Sequence, residues 1–523
     1  MTSKLNSKSE NDVSDKNMSI SFPFKYESIG ELKNSQLSSE DIEDKYTVEQ
    51  AIEMLGFGMF QIKLSLLTGL AWMSDAMEMM ILSILSPALH CSWGLLAWQR
   101  ALITTAVFVG MMMSSTFWGK ICDRFGRKTA LLMCSLFTFY FGFLSSFSPT
   151  FLWLILLRGL TGFGIGGAPQ SITLYSEFLP SKYRAKCLIL IEIFWGLGTC
   201  FEVLLALIIM PTLGWPWLLA FSSLPLLLFS CFSLWLPESA RYHVACKDFK
   251  SAYKVIERIA KENKRPLPIG TLVGDDDVVD QNPTENPSTF SDTTNLLDNH
   301  RGRFKDLFAT DIRRTTFLLW IIWMVNAFSY YGIVLMTTEL FESGDKCHGG
   351  SGKQLSQPSC LLDCHPLQRS DYVDLLWTTL AEFPGLFLTV FIIESLGRKI
   401  TIAIEFFAFS IFVFLLNICS NRAMMTTFIF IARTVISAGF QATYVYTPEV
   451  YPTTIRALGI GTCSMMARVG AILTPFVAQV LLKTSVRSAI DIYAASSIIA
   501  GICSLLLPIE TKGREMKDTV MTR

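Results

Sequence analysis

The sequence predicts an all-α membrane protein whose twelve transmembrane helices form two pseudo-symmetric six-helix bundles. Of its 523 residues, 51% are hydrophobic and 17% charged, against about 25% charged in a soluble domain. Segments of about twenty apolar residues, long enough to cross roughly 30 Å of hydrocarbon as helix, recur along the chain. Three motifs occur twice at a fixed spacing. Gly126-Arg127-Lys128 returns as Gly397-Arg398-Lys399 (397 − 126 = 271), and Glu177-x-x-Pro180-x-x-x-Arg184 as Glu449-x-x-Pro452-x-x-x-Arg456 (449 − 177 = 272). Pro237-Glu238-Ser239 is echoed by Pro508-Ile509-Glu510 (508 − 237 = 271). Copies that lie between apolar segments describe a duplicated membrane bundle rather than an array of soluble repeats.

Residues 1–47 are polar and lack the pattern of a cleaved signal, so they read as a disordered cytosolic tail. A short amphipathic helix is expected over residues 48–59, lying against the membrane. The N-terminal bundle, residues 48–240, holds spans at 64–85, 101–118, 129–147, 151–175, 187–210 and 215–235. Residues 241–314 form a cytosolic connection. Val255, Ile256 and Ile259 interleave there with charges at helical spacing up to residue 263, and a Pro-, Ser- and Asp-rich stretch over 266–300 reads as flexible linker. The C-terminal bundle, 315–510, holds spans at 316–340, 372–393, 400–418, 424–446, 458–481 and 489–507, before a cytosolic tail at 511–523. Every span must be helical, because lipid offers a backbone no hydrogen-bond partner.

Formal net charge is +0, so overall charge points to no nucleic-acid partner, and placement carries the information. Lys120, Arg124, Arg127, Lys128, Lys182, Arg184, Lys186, Arg398, Lys399 and Arg456 fall in alternate connections, which puts both termini in the cytosol. Most of the thirteen cysteines sit singly in spans as small buried residues. Cys91, Cys347, Cys360 and Cys364 instead lie on the predicted non-cytosolic side, where a disulfide within the group is expected and three pairings are open. Zinc ligation by Cys347-His348 and Cys360-x-x-x-Cys364-His365 is disfavoured by irregular spacing, and no metal or cofactor is expected.

Ionisable residues inside spans are costly and mark functional sites. Asp75 and Glu78, three residues apart, share a face of the first span, and Glu192, Trp195 and Glu202 share one of the fifth. Arg158 is their natural partner, with Arg433 and Arg468 as buried cations in the second half. A structural ion pair is one reading. The other is a carboxylate that exchanges a proton as access alternates, which assigns proton coupling to Asp75, Glu78 and Arg158. All five histidines lie outside the spans, so an intramembrane relay would use carboxylates. Trp72, Tyr330, Tyr331, Tyr444 and Asn326 can line a cavity for an organic ring, or serve as packing and interfacial residues. Gly162-x-Gly164-x-x-Gly167 matches a dinucleotide fingerprint in letters, but it lies inside an apolar span and reads as close helix packing. No Walker loop or catalytic triad is present, so an enzyme is not expected.

The loop Gly119-x-x-x-Asp123-Arg124-Phe125-Gly126-Arg127-Lys128, with its second copy Glu394-x-x-Gly397-Arg398-Lys399, resembles the signature loop of the major facilitator superfamily. The resemblance spans residues 48–514. It extends through the segment from Gly69 to Glu78, Pro237-Glu238-Ser239, Asn326 to Gly332, and Tyr444 to Pro452, where it is similar to a vesicle-membrane branch of that superfamily. It implies two bundles rocking about a midplane site, with Gly119, Asp123, Arg124, Gly126, Arg127, Glu177 and Arg184 in one gating network and Glu394, Gly397, Arg398, Glu449 and Arg456 in the other. Among sugar porters of the superfamily, an aspartate and an arginine at the positions of Asp75 and Arg158 couple proton movement, and a sugar-binding glutamine stands where this chain has Glu192. Met466-Ala467-Arg468-Val469-Gly470 resembles organic anion transporters.

The expected function is therefore secondary active transport of a small charged organic solute, an organic anion or zwitterion, with proton coupling, in a synaptic or secretory vesicle membrane. Trp72, Glu192, Trp195, Asn326, Tyr330, Tyr331, Tyr444 and Arg468 are the expected solute contacts. Membrane lipid, the solute and protons are the expected partners of a monomer. The alternative is a non-transporting vesicle protein that binds a ligand or protein partner. A channel is disfavoured, since no span is polar along its length.

Overall fold

A computed structural model describes residues 45–274, 304–310, 312–343, 367–418 and 421–512. The described residues are almost entirely helical, with α1 (Val48–Leu55), α2 (Met59–Trp93), α3 (Ala97–Phe125), α4 (Arg127–Ser145), α5 (Phe151–Ile165), α6 (Pro169–Glu177), α7 (Ser181–Leu190), α8 (Ile193–Ile209) and α9 (Trp215–Phe232) in the first half. The surface helices α10 (Ala240–Ala245) and α11 (Phe249–Asn263) follow. The second half holds α12 (Arg313–Ser343), α13 (Arg369–Leu380), α14 (Glu382–Leu396), α15 (Arg398–Leu415), α16 (Arg422–Val450), α17 (Thr453–Pro475), a π-helical turn (Phe476–Leu481), α18 (Leu482–Thr484) and α19 (Val486–Leu505).

Ten helices among the described residues are long and apolar enough to cross a membrane, and α1 with α2, bent by 108°, makes eleven where twelve spans were expected. The difference lies in charge. Helix α2 carries Lys63, Asp75 and Glu78, and α15, the expected span at 400–418, carries Arg398, Lys399 and Glu405. Glu405 is nevertheless 3% exposed, and α15 packs between α16 and α19 within the bundle.

Three spans pass from one helical segment to the next through a short, tighter turn that keeps right-handed helical backbone. Helix α5 gives way to α6 at Gly166-Gly167-Ala168, α7 to α8 at Ile191-Glu192, and α13 to α14 at Ala381. Close crossings elsewhere depend on glycine. A Cβ on Gly162 would strike the Val107 backbone and one on Gly167 the Cys134 side chain, so this glycine run serves packing, as expected. A Cβ on Gly198 would strike the Met73 carbonyl, and one on Gly470 the Met324 carbonyl. Because 470 − 198 = 272, the duplication visible in the loops extends to the tightest helix contacts.

The two signature loops are built alike. Gly126, at φ 94°, turns the chain into α4, whose first amides from Arg127 and Lys128 donate to the Glu238 carboxylate at 2.8 and 3.1 Å. Gly397, at φ 90°, does the same for α15, with Arg398 and Lys399 donating to Glu510 at 2.8 and 3.1 Å. Each carboxylate occupies the positive end of a helix dipole and satisfies orphan donors.

The polar periphery is more ordered than its composition predicts. Lys45–Tyr46 pairs in parallel with Thr271–Leu272, joining the end of the N-terminal tail to residues read as flexible linker. Thr47 caps α1 in a capping box with Gln50. The buried face of α1 packs on α11 and α10 through Ile52, Val48 and Ala240, and Glu53 accepts the Ser181 amide at the start of α7. The Ser181 side chain, and after it this amide, hold the Glu53 carboxyl below its ordinary range. Asn263 at the end of α11 donates to the carbonyls of Leu55 and Gly56 and to Gln61, tying the connection to the base of α2.

Between the halves, every side-chain hydrogen bond joining described residues lies at mid-depth or toward the end remote from the signature loops. Trp195 donates to Tyr330 at 2.7 Å, and Cys200 to Thr379 at 3.4 Å. At the remote end Glu339 accepts from Arg100 at 2.9 Å and from Ser86 at 2.8 Å, while Lys483 approaches its other oxygen at 3.1 Å. The apolar core divides accordingly. Met79 to Leu89 of α2 join one cluster with the second half, whereas Phe60, Leu64 and Ala71, nearer the signature loops, belong to a cluster drawn entirely from the first half and the connection.

Candidate functional site

A cavity lies between the halves, lined by α2, α3, the α5–α6 break and the α7–α8 break from the first half and by α12, α16 and α17 from the second. Its free volume is about 80 Å³. At about 10–15 Å³ for each water, that space holds a handful of waters or a small solute. Of the expected contacts Trp72, Glu192, Trp195, Tyr330, Tyr331, Tyr444 and Arg468 line it, together with Asp75. Helical periodicity explains the convergence of Trp72, Asp75 and Met79, which follow one face of α2.

The polar groups fall at different points of the wall. Glu192, placed in the α7–α8 break, accepts the Trp72 indole N–H at 3.2 Å. Trp72 and Trp195 pack with ring centroids 5.1 Å apart, and Tyr330 and Tyr331 meet edge to face at 5.3 Å. Asp75 is 4% exposed, with one carboxylate oxygen buried and lacking a hydrogen-bond partner, within electrostatic reach of both Glu78 and Arg468. Arg468 projects from α17 toward the Met111 sulfur at 3.9 Å. The cavity thus carries two carboxylates, one guanidinium and an aromatic box.

Other expected residues lie elsewhere. Glu78 and Arg158 form an ion pair at 2.9 Å, both at most 1% exposed, behind the cavity wall. Glu202, also fully buried, accepts from Ser222 at 2.8 Å beside this pair. Asn326 is buried against Thr443 at 3.4 Å and does not reach the lining. Around the first signature loop Arg127 pairs with Asp123 at 2.8 Å and Glu177 at 3.2 Å, the Arg124 carbonyl accepts from Tyr242, Arg184 donates to the Leu179 carbonyl, and Gly119 faces open space. Around the second, Arg398 pairs with Glu449 at 3.2 Å, Arg456 donates to the Tyr451 carbonyl, and Glu394 is exposed. Cys91 is disulfide-bonded, whereas Cys347, Cys360 and Cys364 lie outside the described residues. No group of metal-ligating side chains occurs among the described residues.

Sequence reasoning passed over Glu382, 5% exposed at the α13–α14 break, which pairs with Arg433 at 2.8 Å and accepts the Tyr330 hydroxyl at 2.9 Å. It also passed over Arg100 and Glu339, and over Ser437, Phe440 and Gln441 in the cavity wall. For Glu382 the signal was present, as a lone carboxylate in an otherwise apolar run.

Comparison with known proteins agrees with this architecture. The family description "Sugar (and other) transporter" matches residues 39–345, and "Major Facilitator Superfamily" matches 375–520. The chain belongs to the major facilitator superfamily. Synaptic vesicle 2-related protein of Xenopus laevis is 54% identical over 91% of this chain and 83% of its own length. The putative transporter svop-1 of Caenorhabditis elegans is 54% identical over 92% and 88%. Organic cation/carnitine transporter 7 of Arabidopsis thaliana is 37% identical over 91% and 97%. The same fold is seen in the partially occluded inward open conformation of the xylose transporter XylE from E. coli, at TM-score 0.67 and 15% identity over 87% of this chain and 99% of that one. This superfamily member is a multi-pass membrane transporter of organic solutes and not an enzyme.

Proposed function

We propose that the protein is a secondary active carrier of a small zwitterionic organic solute, working by alternating access in a vesicle membrane and exchanging a proton at Asp75. The observation that carries this reading is the cavity itself, where Glu192 and Asp75 share a wall system with Arg468 and six aromatic side chains. A solute with separated charges finds a carboxylate for its cationic end, a guanidinium for its anionic end and ring faces for the stem between. A neutral sugar would leave these charges uncompensated. The name of the plant relative, an organic cation/carnitine transporter, favours a cationic or zwitterionic solute, and the vesicle location rests on the synaptic vesicle 2-related proteins.

Alternation on this reading needs the remote end to part. The clamp on Glu339 is broken when the halves rock, while the pairs around each signature loop travel with their own half. A thermal-shift screen of charged solutes against the purified protein tests the site. Hits are expected among zwitterions, and Arg468→Met should weaken them about 10- to 100-fold by removing a charge-assisted contact. Hits confined to neutral sugars would overturn the reading.

A further inference from the structure

The direction of hydrogen bonding at one point of the cavity wall constrains the solute's chemistry. Arg433 is fully buried and donates to Glu382 Oε1 from Nη2 at 2.8 Å and from Nε at 3.3 Å. A carboxylate held by a guanidinium is an acceptor only, so the Tyr330 hydroxyl, 2.9 Å from the same oxygen, must spend its hydrogen on Glu382. What Tyr330 then offers the cavity is a lone pair. Its present occupant agrees, because the Trp195 indole N–H, a donor with no acceptor capacity, sits 2.7 Å from that hydroxyl oxygen. The neighbouring polar atom has the same polarity. Glu192 Oε2 accepts the Trp72 indole N–H at 3.2 Å, and the two indoles lie side by side at 5.1 Å.

We propose that Glu382 is a specificity-determining, positioning residue: by fixing Tyr330 as an acceptor beside Glu192, it makes this wall select a solute head that carries N–H donors, a protonated amine, over a fully alkylated ammonium. The two indoles hold these acceptors through their N–H groups, with Gln441 as a second donor to Glu192. An entering ammonium displaces their N–H groups and keeps both rings as faces for its charge. A trimethylammonium head gains the ring contacts but takes the indole donors from Tyr330 and Glu192 without replacing them; Glu192 keeps Gln441, and the Tyr330 oxygen is left without a donor. Glu382 touches no solute in this arrangement and acts through Tyr330. This inference rests on the carrier reading and refines the cationic end of its solute.

The test uses the full chain in lipid nanodiscs and measures Kd for matched probes, ω-amino acids of graded chain length and their N,N,N-trimethyl counterparts. Wild type should bind the amines roughly 10- to 100-fold more tightly than their trimethyl partners. Tyr330→Phe should abolish that ratio, and Glu382→Gln should shrink it, since an amide can donate to the phenol oxygen and free its hydrogen to turn. A change in the ratio is specific, because general loosening of the bundle would weaken both members alike. Equal or inverted affinities in wild type overturn the inference and leave the carrier standing. A ratio that survives Tyr330→Phe overturns it as well. Failure of every probe to bind overturns the zwitterion carrier and this inference together.

Discussion

Replacing Arg158 with methionine should cost about 3–5 kcal/mol of stability, the penalty for leaving one partner of a buried ion pair uncompensated. Arg158 is 0% exposed and faces Glu78 at 2.9 Å. Its removal strands more than one carboxylate, because Glu202 lies in the same pocket with only the Ser222 hydroxyl as a hydrogen-bond partner. The double variant Glu78→Gln/Arg158→Met should recover part of the loss, since it removes the Glu78 charge along with its partner and leaves only Glu202 uncompensated. Denaturant or thermal unfolding in detergent reads both. If the single variant unfolds like wild type, the pair contributes nothing to the bundle. If the double variant is no better than the single, the penalty is not electrostatic.

A second large effect is expected at the end remote from the signature loops. Glu339→Gln removes the charge that Arg100 and Lys483 share and weakens the only charged clasp between described residues of the two halves. Losing a buried charge-assisted bond changes an equilibrium by roughly 10- to 100-fold, so hydrogen exchange over the last turns of α2 and α12 should quicken by that factor. Exchange around Gly126 and Gly397 should stay as it is, because those networks are contained within one half each. The exchanged pair Arg100→Glu/Glu339→Arg should restore part of the protection. Faster exchange at both ends would mean general loosening, and unchanged exchange would mean that apolar packing alone holds this end shut.

Much of this architecture could be read from the chain because its signals are local or repeated. The signature loops have two copies, and each copy folds about a glycine at positive φ and a carboxylate some 110 residues on (238 − 127 = 111 and 510 − 398 = 112). The candidate wall was legible where helical spacing decides it, at Trp72 and Asp75 on α2 and at Glu192 and Trp195 around the α7–α8 break. Pairings between distant segments were not. Arg100 and Glu339 are separated by 239 residues, and nothing in either neighbourhood says which charge the other half will present. Asn326 shows the converse error: an amide among tyrosines reads as a solute contact, yet its helix face turns it to Thr443. The strand pair formed by Lys45–Tyr46 and Thr271–Leu272 was hidden for a related reason, since two residues on each side are too few to show a periodicity.

The central claim is that the cavity between the halves moves a charged solute in exchange for protons at Asp75. Its most direct test is uptake of a zwitterion hit into proteoliposomes under an imposed pH gradient, comparing wild type with Asp75→Asn. The account predicts gradient-driven accumulation by wild type, and by Asp75→Asn only exchange of solute for solute with no response to the gradient. Binding without flux in wild type, or full pH-driven accumulation by Asp75→Asn, would contradict it.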